Sequence, residues 1–202
     1  VALVEARKRL GDHGFYVVGD ITHLPFKRDS FDGIVALHTI HHVPVAEKPD
    51  CYEELYACLK PGRTMVTVDG WHEHGLSWLW ALMIRVADRL RGKRVKTEIK
   101  DSSKQAKVEK KEQQSPAGTF VIKNSARWFK QTLGGKLPFK ILPWRSVSVH
   151  WLRSIVPDKP RGRRLLNCLY RLEDAFPRFF GENGQYPMIV FNKPDPERRG
   201  EP

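Results

Sequence analysis

Phe31-Asp32-Gly33-Ile34-Val35-Ala36-Leu37, continued through His38 and Thr39 to Ile40-His41-His42-Val43-Pro44, is the stretch on which the fold turns. A short apolar run entered through Phe-Asp-Gly reads as a buried strand, too brief for a core helix. Downstream, Asp50-Cys51-Tyr52-Glu53 predicts a helix opened by a capping box, with Asp50 as N-cap and Glu53 three residues on. That helix runs to Leu59 and is stopped by Lys60-Pro61-Gly62, after which Thr64–Val68 reads as a strand ending at Asp69-Gly70. Upstream, Phe15-Tyr16-Val17-Val18 is a short strand that stops at Gly19-Asp20, and a loop holding Leu24-Pro25-Phe26 follows. Residues 1–10 form a helix, with Leu3, Val4, Ala6 and Leu10 on one side. Strand, helix and strand at this spacing give an α/β fold with a doubly wound, mostly parallel sheet.

Beyond residue 70 the character changes. Trp71–Leu90, rich in Trp, Leu and Met, predicts a helix, and the basic polar segment 92–118 reads as a mobile surface loop. A helix at Ser125–Leu133 and a strand within Phe139–Leu152 resume the order. Arg163–Phe180 is amphipathic, with Leu165, Leu169, Leu172 and Phe176 on one face. Tyr186–Asn192 is a closing strand, followed by a charged tail. The domain reading is a core at 1–70, a helical and basic insertion at 71–118, further core and substrate-side elements at 119–193, and a disordered tail at 194–202.

With 202 residues, 41% hydrophobic and 29% charged, the chain has an ordinary globular balance. Its longest unbroken apolar run, Trp78–Ile84, is far short of the roughly 20 residues needed to cross a bilayer. The first residues do not read as a secretory leader, and Cys51, Cys58 and Cys168 form no CxxC pair. These features set the expectation of reduced thiols and a cytoplasmic place of work. The net charge of +12 is unusual. Between Lys93 and Gln114, eight Lys/Arg stand against four Asp/Glu, so much of the excess reads as a solvated segment.

Three segments in order carry a resemblance. They are Gly19-Asp20 at a strand end, Ser30-Phe31-Asp32-Gly33-Ile34-Val35 leading to Ile40-His41-His42-Val43-Pro44, and Leu59-Lys60-Pro61-Gly62 before a strand. Together they resemble the class I S-adenosylmethionine-dependent methyltransferases, in particular the type 11 (UbiE-like) group, over roughly residues 1–70. The resemblance implies a Rossmann-like sheet with S-adenosylmethionine as cofactor. It places Asp20 on the adenine amino group and Ile21 on the base. Leu37 and His38 would approach the methionine part, and Leu24-Pro25-Phe26 would shield the adenine. Arg63 stands where the group usually has a second Gly.

The family's glycine-rich loop and the acidic residue ending its second strand have no counterpart here. Residues 1–10 match the helix just after that second strand, so the expectation is an N-terminally incomplete chain lacking the first βαβ portion. Whether this chain alone is active is left open by that missing motif.

His38, His41 and His42 lie in a spacing that a metal site could use, as do His72 and His74, but the family uses no metal in this loop, and none is expected. His42 is the candidate general base for a hydroxyl acceptor. Trp71 and Trp78 are candidate substrate contacts, as an apolar wall beside the methyl donor. The expected reaction is methyl transfer to a small-molecule acceptor, lipid- or quinone-like. Two alternatives stand beside it: an RNA methyltransferase, prompted by the charge but lacking interleaved aromatics to stack bases, and a non-catalytic remnant acting as a binding module. A basic, Trp-rich helix also fits peripheral contact with an anionic membrane.

Overall fold

The computed structural model describes residues 2–71, 75–90, 124–156 and 160–196. The basic segment 92–118, His72 and His74, and the end of the charged tail lie outside the described residues. In chain order the elements are α1 (Ala2–Leu10), β1 (Phe31–Leu37), a 3-10 turn (Ile40–His42), α2 (Lys48–Cys58), β2 (Leu59–Val68) and α3 (Ser77–Leu90). Then come α4 (Ala126–Leu133), β3 (Phe139–Arg145), α5 (Val149–Ile155), α6 (Pro160–Ala175), α7 (Pro177–Asn183) and β4 (Tyr186–Asn192).

The sheet has the order β1-β2-β4-β3. β1 and β2 run parallel, in the register Ile34↔Met65 to Leu37↔Val68. Parallel neighbours need a crossover, and α2 supplies it. β4 then lies antiparallel to β2, with Met65 opposite Phe191, and β3 closes the sheet antiparallel to β4, with Ile141 opposite Ile189. The α/β class therefore holds, in a sheet that is mixed rather than uniformly parallel across these four strands.

Alternation makes the core legible. Along β4, Pro187, Ile189 and Phe191 are buried while Tyr186, Met188 and Val190 are half-buried and Asn192 is exposed, the period-2 pattern of a strand with one face inward. Phe191, Met65 and Leu59 are fully buried, and α2 and α4 add Tyr52, Phe129 and Leu133 to the same cluster. Phe129 sits at the centre of this cluster, edge-on or tilted to Tyr52, Trp71, Trp128, Phe139 and Phe191. Trp71 is part of this core, and its indole N–H donates to the Gly181 carbonyl at 2.9 Å. Gly181 lets α7 close on β3: a Cβ there would stand 2.8 Å from the Ile141 carbonyl oxygen.

Four expectations are corrected. Phe15–Val18 forms no strand among the described residues; Phe15 is 102% exposed and Val18 86%. An apolar run becomes a strand only if a neighbour accepts its backbone N–H and C=O groups, and none of the described strands lies beside it. The helix expected from Asp50 begins at Lys48 instead, with Glu47 at the N-cap and no side-chain cap bond. Pro49 explains the shift, because its fixed φ and missing N–H suit the first turn. The helix expected from Trp71 begins at Ser77; Trp71 instead bridges to Asn124. The amphipathic stretch 163–180 is two helices, broken at Phe176 before Pro177, as the restriction on a residue preceding proline requires. Of its predicted apolar face, Leu172 and Phe176 remain exposed.

Candidate active site

The residues that follow β1 and β2 stand beyond the carboxyl ends of parallel strands, where ligands bind in open α/β sheets. β1 ends at Leu37, and the His38 backbone N–H still donates to the Val68 carbonyl at 2.8 Å. His38 itself takes φ +52°, a left-handed conformation uncommon for a side-chain-bearing residue and concentrated at functional sites. This sharp turn, followed by the 3-10 turn Ile40–His42, swings His41 back over the end of β2. There the His41 ring Nδ1 lies 2.9 Å from the Asp69 carboxylate. With Asp69 ionised the carboxylate only accepts, so Nδ1 carries a proton, and in the neutral ring the lone pair is then on Nε2.

Asp69 is largely buried, and that burial raises its carboxyl above the ordinary carboxylate range, opposed by the His41 hydrogen bond and by the charge of Lys48. Lys48, 1% exposed at the start of α2, is lowered to about 8 by its own burial, with Asp69 and Cys51 opposing. The Cys51 thiol is pushed up to about 12 by burial first and then by Asp69 and Asp20. It is therefore an inert core thiol at neutral pH.

Asp20 is exposed, and its Oδ1 accepts from both the Thr22 backbone N–H at 2.9 Å and the Thr22 hydroxyl at 2.8 Å. The backbone bond is the first cause holding its carboxyl below the usual range. Neither bond uses Oδ2. Ile21 is half-buried against the core, Leu37 is 48% exposed and His38 is exposed. Leu24 packs on the core, and Phe26 meets Phe31 edge-on at 5.0 Å. An accepting carboxylate oxygen beside a half-buried isoleucine fits the amino edge and face of an adenine.

The predicted substrate contacts do not meet. Trp71 is 3% exposed in the core, whereas Trp78 is 66% exposed on the outward side of α3. The His42 ring lies on that of His41, with centroids 4.0 Å apart. The carboxylate pairing that sequence reasoning missed belongs to His41. Its partner Asp69 was legible only as an acid at a strand end, the same signal that singled out Asp20. Tyr186, at the start of β4, also enters the site: its ring meets His38 edge-on at 5.6 Å. His38, His41 and Asp69 offer ligand atoms all within 4.8 Å of one another, the one such triplet among the described residues.

Comparison with known proteins now bears on these same segments. A family model described as a methyltransferase domain matches residues 1–67, the stretch that supplies Asp20, β1, the histidine turn and β2. Residues 1–67 are thus similar to part of a methyltransferase domain. The sterol 24-C-methyltransferase of Clavispora lusitaniae is 41% identical over 54 residues, covering 27% of this chain and 14% of that protein. The 24-methylenesterol C-methyltransferase 2 of Arabidopsis thaliana is 27% identical over 192 residues, covering 89% of this chain and 49% of that protein. The chain thus spans less than half the length of these curated relatives.

Among solved structures, a SAM-dependent methyltransferase of Thermotoga maritima aligns with TM-score 0.50 and 18% identity, over 93% of this chain and 67% of that one. The phosphoethanolamine N-methyltransferase 2 of Haemonchus contortus aligns with TM-score 0.50 and 12% identity, over 95% of this chain and 40% of that one. The methyltransferase fold therefore extends past the family match, into the antiparallel β3–β4 end of the sheet. No helix among the described residues is long and apolar enough to cross a membrane.

Proposed function

We propose that the protein takes part in S-adenosylmethionine-dependent methyl transfer to a small, partly apolar acceptor molecule. The observation that supports this reading best is spatial. The stretch matched by the family model holds both Asp20 and the parallel strands β1 and β2, at whose carboxyl ends His41 meets Asp69. S-adenosylmethionine, when bound, supplies an activated methyl group, so the protein's own work is binding, orientation and proton handling. Asp20 accepts an N–H of the adenine through Oδ2, while the Thr22 turn fixes the carboxylate. Ile21, Leu37 and the backbone at His38 line the cofactor. His41, held by Asp69, accepts the proton released by the acceptor at Nε2, and His42 shares the turn that presents it. A buried carboxylate that fixes the imidazole's tautomer is the arrangement general-base work requires.

The free cysteines among the described residues, two of them buried, suit a reducing, cytoplasmic setting. The outward side of α3 carries Trp78, Leu82 and Val86 at helical spacing, all about half or more exposed, with Arg85 and Arg89 exposed among them. That pattern supports peripheral contact with an anionic bilayer.

Calorimetric titration with S-adenosylhomocysteine tests the reading. Saturable binding is expected, weakened at least about tenfold in Asp20→Ala, the loss of one hydrogen bond to a charged acceptor. Absence of binding by the unsubstituted protein overturns it.

A further inference from the structure

Arg145 ends β3 opposite Tyr186, the first residue of β4. Its guanidinium carbon lies over the Tyr186 ring, 4.5 Å from the centroid. The same ring meets His38 edge-on, so a single aromatic side chain separates Arg145 from the histidine crevice. Yet Arg145 has no acidic partner: it makes no ion pair among the described residues, and its buried Nε–H has no acceptor. The Glu173 carboxylate accepts the Ser146 backbone N–H at 2.9 Å and makes no ion pair with Arg145 among the described residues.

The neighbours are orphaned too. Ser146 is fully buried with an unpartnered hydroxyl, and the Gln185 side-chain oxygen is likewise buried without a donor. The Gln185 backbone N–H donates to the Ser146 carbonyl at 3.0 Å, which holds these two residues side by side. Gly184 packs so closely that a Cβ there would stand 2.7 Å from the Ser146 Cα. Between α3 and α5 the Trp80 and Trp151 rings meet at 5.5 Å, and both buried indole N–H groups lack acceptors. Native folds leave few buried polar atoms unpaired, and each asks for a reason. At the β3–β4 end, the Arg145 Nε–H only donates, the Ser146 hydroxyl donates or accepts, and the Gln185 oxygen is confined to accepting. The Arg145 Nε–H and the hydroxyl of the next residue, two buried donors without acceptors beside a guanidinium that makes no ion pair among the described residues, match a ligand group made of acceptors.

We propose that Arg145 anchors an anionic group, a carboxylate or phosphate, on the acceptor molecule, with the Ser146 hydroxyl donating a further hydrogen bond to it. The word acceptor rests on the methyltransferase reading; the anion site itself does not. Guanidinium is suited to the task because it engages both oxygens of a carboxylate or phosphate at once. Held there, an amphiphile lies against Tyr186 with its other end toward His38 and His41.

Three probes of equal tail length separate the possibilities: octanol, octanoate and octyl phosphate, titrated against the protein with tryptophan fluorescence as the readout. The two anions are expected to bind at least about tenfold more tightly than the alcohol, the scale of one charge-assisted hydrogen-bonded pair. The stronger of the two tells carboxylate from phosphate. Arg145→Gln should abolish the preference, Arg145→Lys should retain part of it, and Arg63→Gln, at an exposed ion pair, should leave it intact. Thermal melting confirms that each variant folds, and calorimetry with S-adenosylhomocysteine runs in parallel. Equal binding of alcohol and anions, or a preference that survives Arg145→Gln, overturns the anion site even where S-adenosylhomocysteine binds. An anion preference that depends on Arg145, in a protein deaf to S-adenosylhomocysteine, keeps the site and removes the methyltransferase reading.

Discussion

Replacing Phe129 by alanine tests how the core supports the crevice. Phe129 is fully buried on α4, and its ring meets Phe139 at 5.0 Å, Tyr52 at 5.1 Å, Trp71 and Phe191 at 6.1 Å and Trp128 at 6.2 Å. Core Phe→Ala changes cost about 3–5 kcal/mol. Edge-on ring pairs add about 0.5–1.5 kcal/mol each beyond the buried area. The surrounding rings are large and rigid and come from α2, α4, β3, β4 and the end of β2, so little collapse into the void is available. The upper part of the range, about 4–5 kcal/mol, is therefore expected, a large share of the 5–15 kcal/mol that holds a typical domain together. Phe129→Leu keeps most of the volume and should cost less than half as much. Chemical denaturation followed by far-ultraviolet circular dichroism reads both, with an unchanged slope showing that the denatured state is the same. A loss below about 2 kcal/mol for Phe129→Ala would refute the reasoning, since a residue so enclosed cannot be removed cheaply.

Three further outcomes follow from the same packing. Trp71→Phe preserves the ring contact with Phe129 but strips the buried Gly181 carbonyl of its donor, so denaturation should show a loss of about 1–3 kcal/mol; no loss would mean that water already serves that carbonyl. Gly181→Ala drives a methyl into the β3 backbone and should cost about 1–3 kcal/mol, visible as a lower melting temperature. Lys48 has a folded value of about 8 against an ordinary 10.5, so the unfolded chain binds its proton more tightly. Stability relative to Lys48→Met should therefore rise as pH climbs from 8 to 10.5, by up to about 3 kcal/mol. A difference that stays flat across that window, in denaturation curves at matched pH, contradicts the account of its burial.

Much of the sheet was legible because its signals are local. β4 appears at the residues its apolar alternation marks, and α4 begins where Ser125 caps it, its hydroxyl accepting the Trp128 N–H. The misreadings arise where the deciding interaction is remote or where two local rules compete. Phe15–Val18 has the composition of a strand but no strand beside it among the described residues. Pro49 outweighs the capping box that starts at the very next residue, and Pro177 cuts a continuous amphipathic pattern. The candidate site is harder still. His41 and Asp69 lie 28 positions apart and meet only because β1 and β2 are parallel neighbours. Arg145 reaches Tyr186 only through the antiparallel register of β3 and β4. Neither pairing leaves a periodic trace, so the sequence offered histidines in a loop and acids at strand ends without saying which belong together.

The central claim, that the crevice at the ends of β1 and β2 receives S-adenosylmethionine, is tested most directly by amide chemical-shift mapping of the whole protein titrated with S-adenosylhomocysteine. The account predicts saturable shifts at Asp20, Ile21, Leu37 and His38, with the amides of α6 unmoved. Shifts that cluster away from those four residues, or none at saturating ligand, would contradict it.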